Sequence, residues 1–175
     1  MSARRDGIPT GVHLILRRDG RVLLMRRANT GFFDGLYSLP GGHVEAGESI
    51  AMTAVREARE ELGLEVAPSS LALVGVIHRL SDTNRIDFFV EVDRWHAEPR
   101  RAEPGKCDRL DWYPEEGLPE PLVPYVRVAL ERRGTSGWIL EQGWSAEVSL
   151  SPQAAPASAA SPSAAKALRN RISSG

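Results

Sequence analysis

From Gly41 to Leu64 the chain reads as a glycine-rich loop that feeds a helix, and no other stretch limits its folding options as strongly. Gly41, Gly42 and Gly47 let the backbone approach a ligand closely and take positive φ where a turn needs it. Ser49 is placed to cap the helix and Gly63 to end it, and no proline interrupts the interval. On a helix turning ~100° per residue, Ala51, Ala54, Val55, Ala58 and Leu62 form one stripe. Glu57, Glu60 and Glu61 gather on the neighbouring face.

Carboxylates three and four residues apart repel by ~0.2–0.5 kcal/mol per pair in an isolated helix. Arg56 and Arg59 offset part of that cost, and a hard divalent cation taking oxygen ligands would offset more. Taken alone, the helix reads first as a solvated one made of good helix formers. The joint spacing decides between the two. Five residues separate Gly42 from Glu48 and seven separate Glu48 from Arg56-Glu57; Glu60-Glu61 and Gly63-Leu64 follow. This pattern resembles the Nudix box at every fixed polar and glycine position. With each residue type near ~7% usage, eight fixed positions coincide by chance about once in a billion placements. Ala58 departs from the larger aliphatic usual in the family, a packing variation.

The resemblance spans roughly residues 9 to 144, with its specific part at 41–64, and implies an α/β fold: an α/β/α sandwich with a mixed β-sheet between helices. Periodicity alone leaves α+β open. It also implies hydrolysis of a nucleoside diphosphate linked to another group. Carried over by position, Glu57, Glu60 and Glu61 are metal ligands, joined by the Gly41 backbone carbonyl; Mg2+ is the expected ion, with Mn2+ as a substitute. Glu48 fixes the loop at the helix start, where an acid also suits the dipole. Arg56 orients a glutamate, on the view that it faces away from the centre of the triad. Gly42, Glu48 and Gly63 are the structural positions of the motif. A further glutamate in a loop before a late strand joins the metal site or acts as base in related enzymes of MutT type. Glu103 occupies that loop here, together with Glu98 and Asp108. Arg26 and Arg27 end a strand where the family places a basic residue against substrate phosphate; a solvated strand-end arginine is the other reading.

The expected reaction is Mg2+-dependent attack of water on a nucleoside triphosphate, giving nucleoside monophosphate and pyrophosphate. ADP-ribose or another nucleotide sugar is the alternative substrate. A nucleotide-binding regulator without turnover is a third reading, set against an intact box. Candidates near a base are Phe32, Tyr37, Asn84, Phe88 and Trp112.

Composition narrows the partners. With 22 basic and 23 acidic residues, the net charge of −1 gives no global attraction to nucleic acid or an anionic membrane. A small nucleotide is the expected partner, and a homo-oligomer is compatible with the sequence. The one cysteine, Cys107, allows no internal disulfide and reads as a structural thiol. The N-terminus lacks an apolar h-region and no run approaches the ~20 apolar residues of a membrane span, so the expected location is cytoplasmic.

At 175 residues and 42% apolar content, one packed domain is expected. It should cover residues 1–145, ahead of an Ala/Ser/Pro-rich tail, 146–175, that cannot bury enough surface to order itself. Residues 12–16 and 22–25 read as an antiparallel hairpin around Asp19-Gly20. Residues 71–80, with a bulge at Gly75, and 86–92 form a second hairpin around the turn at 81–84. Residues 95–108 read as a surface loop, 110–113 as a strand, and 124–133 as a helix with proline in its first turn. Trp138, Ile139, Leu140 and Trp144 should pack back on the domain. Phe32 and Phe33 lie in a loop at 28–35, placed either to close the core or to stack on a base.

Overall fold

A computed structural model of the chain describes residues 7–145, so the tail expected from residue 146 lies outside the described residues. Eight strands and two α-helices are found there: β1 (Thr10–Arg18), β2 (Arg21–Arg27), β3 (Tyr37–Ser38), β4 (Gly41–His43), α1 (Ile50–Leu62), β5 (Leu71–Leu80), β6 (Asn84–Val92), β7 (Cys107–Pro114), α2 (Pro124–Glu131) and β8 (Trp138–Gln142). The sheet runs β3-β2-β1-β6-β5-β8, with β4 added on β1 and β7 on β2. It is mixed: β1 lies parallel to β6 and β5 parallel to β8, while the other pairs are antiparallel.

Alternation along β1 sets the layers. Val12, Leu14 and Leu16 pack with Val90 and Val92 of β6 against Ala54, Ala58 and Leu62 of α1. Ile15 joins Ile77 and Phe89 on the other side, under Tyr125, Val126, Ala129 and Leu130 of α2. Helices therefore cover both faces of the mixed sheet, the α/β/α sandwich expected. Leu14, Ile15 and Leu16 are fully buried, each worth ~1.5–3 kcal/mol of apolar transfer.

The first hairpin turns as expected, with positive φ at both Asp19 and Gly20, which matches the twist of the flanking strands. Its strands then diverge, because only Arg17 and Arg18 of β1 pair with β2. The front of β1 pairs with β4 instead, Gly11 opposite His43 and His13 opposite Gly41. A cleft of about 760 Å³ opens at this fork.

Several expectations need correction. Residues 41–43, read as part of the glycine-rich loop, form β4, and Tyr37–Ser38 just before them form β3. Ala51 is exposed and Val55 only half-buried, while Thr53 and Glu57 are buried, so the packed face of α1 is turned toward the glutamates. Residues 107 and 108 already belong to β7, and α2 stops at Glu131. Trp138 to Leu140 do more than pack back, since they form an edge strand beside β5. The irregularity expected near Gly75 is present, and a Cβ there would overlap the Trp138 ring.

Candidate active site

The helix that carries the glutamates is closed at both ends by its own sequence. The Ser49 hydroxyl accepts from the Met52 N–H at 3.2 Å. At the far end Gly63 takes the left-handed conformation (φ 65°), its N–H bonds Arg59 O, and the Leu64 N–H bonds Ala58 O. α1 meets β4 edge-on, and two glycines set the approach. The Gly41 N–H donates to Glu61 Oε2 at 2.7 Å. A Cβ on residue 42 would overlap the Glu57 carboxylate.

Arg56 is the hub of the acidic cluster. Its Nε and Nη2 hold the two Glu48 oxygens at 2.8 and 3.0 Å, Nη1 donates to Glu57 Oε1 at 2.7 Å and Glu60 Oε2 at 3.2 Å, and Nη2 also reaches His43 O. The guanidinium thus points into the cluster, where the sequence suggested that it faces away. Glu48 also accepts from Thr53 Oγ1 and the Glu45 N–H, which pins the loop ahead of the helix. Arg56 holds the Glu48 carboxyl down at about 2.

Glu57 and Glu61 are shifted the other way. Burial raises Glu57 above the usual carboxylate range against the opposing pull of Arg56. Burial likewise pushes Glu61 up to about 7; the Gly41 hydrogen bond opposes this, and the charges of Glu57 and Glu103 add to it. Among the described residues no three His, Cys, Asp or Glu side chains are gathered into a ready metal cage. The physical reason is Arg56, which holds Glu57 and Glu60, while Glu61 is turned to Gly41. The donor set nevertheless fits a hard divalent cation: every donor is oxygen, and two of the carboxylates are raised by burial with too little positive charge beside them.

Positive groups line other parts of the cleft. Arg27 is anchored by Nε to Phe32 O at 2.8 Å and Nη2 to Thr30 Oγ1 at 3.1 Å. Lys106 contacts both Glu103 oxygens, at 2.9 and 3.1 Å. The floor holds a network that sequence reading missed. Asp87, only 1% exposed, accepts from Arg79 Nε at 2.6 Å and contacts His13 Nε2 at 3.0 Å. Arg79 in turn lies 4.4 Å from the Tyr125 ring centre. These residues are scattered through the chain and carry no spacing signature; the β1–β6 and β5–β6 registers assemble them.

Not every predicted residue reaches the cleft. Arg26 points to the opposite side of β2 and forms a bidentate pair with Asp108, both bonds 2.7 Å. Glu98 is bound to Arg18 on the surface. Glu103 adds its charge to the rise at Glu61 and pairs with Lys106, which lines the cleft where Glu103 itself does not. Of the base candidates, Phe32 lines the cleft. Tyr37 is buried in the α2-side core, Phe88 and Trp112 pack on the α1 side, and Asn84 bonds His78. Cys107 is buried and donates to Arg109 O, and burial raises its thiol pKa, as a structural thiol should.

A family profile for the NUDIX domain matches residues 8–132. The CTP pyrophosphohydrolase of Escherichia coli K12 is 34% identical over 116 residues, 65% of this chain and 82% of that protein. An ADP-ribose pyrophosphatase of Methanocaldococcus jannaschii is 44% identical over a shorter stretch of 62 residues, 35% of each chain. Among solved structures, a MutT NUDIX hydrolase from Burkholderia pseudomallei superposes with a TM-score of 0.67 at 29% identity, covering 73% of this chain and 99% of that one.

Proposed function

The chain belongs to the NUDIX family, whose members hydrolyse phosphoanhydride bonds, and from that premise we propose that it is a Mg2+-dependent nucleoside triphosphate pyrophosphohydrolase. The observation that carries this reading is the pair of burial-raised carboxylates, Glu57 and Glu61, pressed against Gly42 and Gly41 at the wall of a cleft wide enough for a nucleotide. Glu57, Glu60 and Glu61, with the Gly41 carbonyl, would hold Mg2+, with Mn2+ as a substitute. When bound, that ion neutralises the phosphate oxygens and lowers the pKa of the attacking water.

The chain's own residues supply the rest. Arg56 keeps Glu57 and Glu60 in place through one guanidinium nitrogen and anchors the loop through Glu48. Arg27 and Lys106 meet the phosphates of the substrate. Glu103 is held by Lys106 through both oxygens and its charge acts on Glu61; on release from Lys106 its carboxylate would take the proton from water. Water attacks a phosphorus of the triphosphate chain; nucleoside monophosphate and pyrophosphate leave. The similarity to a CTP pyrophosphohydrolase over most of that protein's length favours a triphosphate substrate. The local match to an ADP-ribose pyrophosphatase supports a nucleotide sugar as second reading. A cytoplasmic setting suits either substrate; among the described residues no helix is long and apolar enough to cross a membrane.

The Glu60→Gln, Glu61→Gln double variant tests the assignment. Turnover should fall by at least ~10³-fold, in the range seen when a principal catalytic electrostatic group is removed, with circular dichroism and melting preserved. Near-normal rates in a folded double variant would refute it.

A further inference from the structure

The cations of the cleft differ in what they hold. Arg56 is occupied by Glu48, Glu57 and Glu60, Arg27 by Phe32 O and Thr30 Oγ1, and Lys106 by Glu103. Arg85, near the start of β6, also lines the cleft, yet among the described residues its guanidinium meets no oxygen. Its Nη2 lies 2.5 Å from His43 Nε2, and its Nε is buried with no hydrogen-bond partner. A buried N–H left unmet costs stability, and folded chains keep few of them.

The strand register adds a second such donor. Arg79 of β5 stands directly opposite Arg85 in the antiparallel pair, so the two side chains share a face of the sheet, and like charges in that relation destabilise it. Asp87 lies two residues along β6 on the same face, but its carboxylate is committed to Arg79 Nε at 2.6 Å and to His13 Nε2 at 3.0 Å. Asp82, on the turn between the strands, is exposed and bonded by Ser81 Oγ. The Arg79 side chain is only 7% exposed, and its Nη2, like Arg85 Nε, has no partner. One cross-strand position thus holds two guanidiniums, a single buried carboxylate and two unmet N–H donors. An oxyanion supplies both the charge and the acceptors that are missing. Position selects the anion. Arg27 and Lys106 reach the cleft from the β2 side, and Arg85 reaches it from β6, across β1. Through His43 it also adjoins β4, whose glycines border the glutamate wall. A phosphate chain lying along that wall has a cation on each side.

We infer that Arg85 is a phosphate-binding residue: its guanidinium donates to a phosphate oxygen of the substrate, with the charge of Arg79 behind it. This deepens the reading of the substrate as a nucleoside triphosphate and rests on it.

Calorimetric titration of the full chain with Mg2+ present tests this without turnover. The probes are inorganic tripolyphosphate and α,β-methylene CTP, which cannot be cut at the expected bond. The wild type should bind both. Arg85→Gln should weaken both by the same factor, about 10- to 100-fold, the range for a hydrogen bond to a charged group. Arg85→Lys keeps the charge without the planar fork and should recover part of that loss. Because substitution relieves the repulsion from Arg79, Arg85→Gln should melt at or above the wild-type temperature, which a merely structural arginine would not allow. A wild type that does not bind tripolyphosphate, or an Arg85→Gln variant that binds it as tightly as the wild type, overturns the inference. So does a loss confined to the nucleotide analogue, which would make Arg85 a reader of the nucleoside, or a variant that melts several degrees lower. Turnover is a separate readout. A wild type that binds tripolyphosphate through Arg85 and cleaves no triphosphate would refute the catalytic reading and leave the phosphate contact standing; normal turnover with binding indifferent to Arg85→Gln would do the reverse.

Discussion

Glu61 concentrates the electrostatic problem of the site in one carboxyl group. Raised to about 7 from an ordinary 4.5, it keeps its proton in the folded protein at pH values where the unfolded chain has lost it. Its contribution to stability is therefore complete below about 4.5 and is lost as pH rises through 7. Glu57, raised in the same direction, adds to that slope. With divalent metal chelated, the melting temperature should fall between pH 5.5 and 8, and Glu61→Gln should flatten the profile. Parallel profiles for the two proteins would show that Glu61 stays ionised throughout. The same shift makes metal compete with a proton, so apparent Mg2+ affinity should rise with pH up to about 7 and then level off. Glu57, Glu60 and Glu61 could be grouped from sequence because the residues share one helix, where spacing alone sets the face. His13, Asp87 and Arg79 could not: 74 residues separate His13 from Asp87, and only the strand register brings them together.

Strand β4 is three residues long, too short for any periodicity, and the chain around it reads as loop. Its position comes from pairing with β1, which a local pattern cannot report. The edge strand β8 was illegible for a related reason, since Trp138 reveals its partner only through the space left by Gly75. The long elements with clear end signals were readable: α1 between Ser49 and Gly63, and the β5–β6 pair. The two glycines of β4 have different duties, which substitution separates. Gly41 has φ +145°, and a Cβ there would overlap the Val12 carbonyl oxygen, so Gly41→Ala should cost ~2–3 kcal/mol and lower the melting temperature by several degrees. At Gly42 φ is ordinary and the obstacle is the Glu57 carboxylate, the end of a flexible side chain. Gly42→Ala should melt within ~2–3 °C of wild type and lose about tenfold or more in kcat. Equal losses of stability in the two variants would contradict this division.

At the scale of the whole molecule, the architecture brings opposite charges to one opening. The cleft opens where β1 leaves β2 and pairs with β4 instead; α1 lines one wall with acid, and Arg27 and Lys106 bring positive charge to it. A triphosphate carries several negative charges that such a cleft can divide between a metal-loaded acidic wall and its fixed cations. A near-neutral chain gains no long-range attraction for polyanions, so selectivity has to arise within the cleft. The most direct test is product analysis on canonical and oxidised nucleoside triphosphates, ADP-ribose and a diadenosine polyphosphate, with Mg2+ or Mn2+, measuring phosphate release with and without added inorganic pyrophosphatase. We expect phosphate to appear only when pyrophosphatase is present, alongside nucleoside monophosphate from a triphosphate. Phosphate release without pyrophosphatase, or no turnover of any compound by a folded, metal-binding protein, would contradict the account.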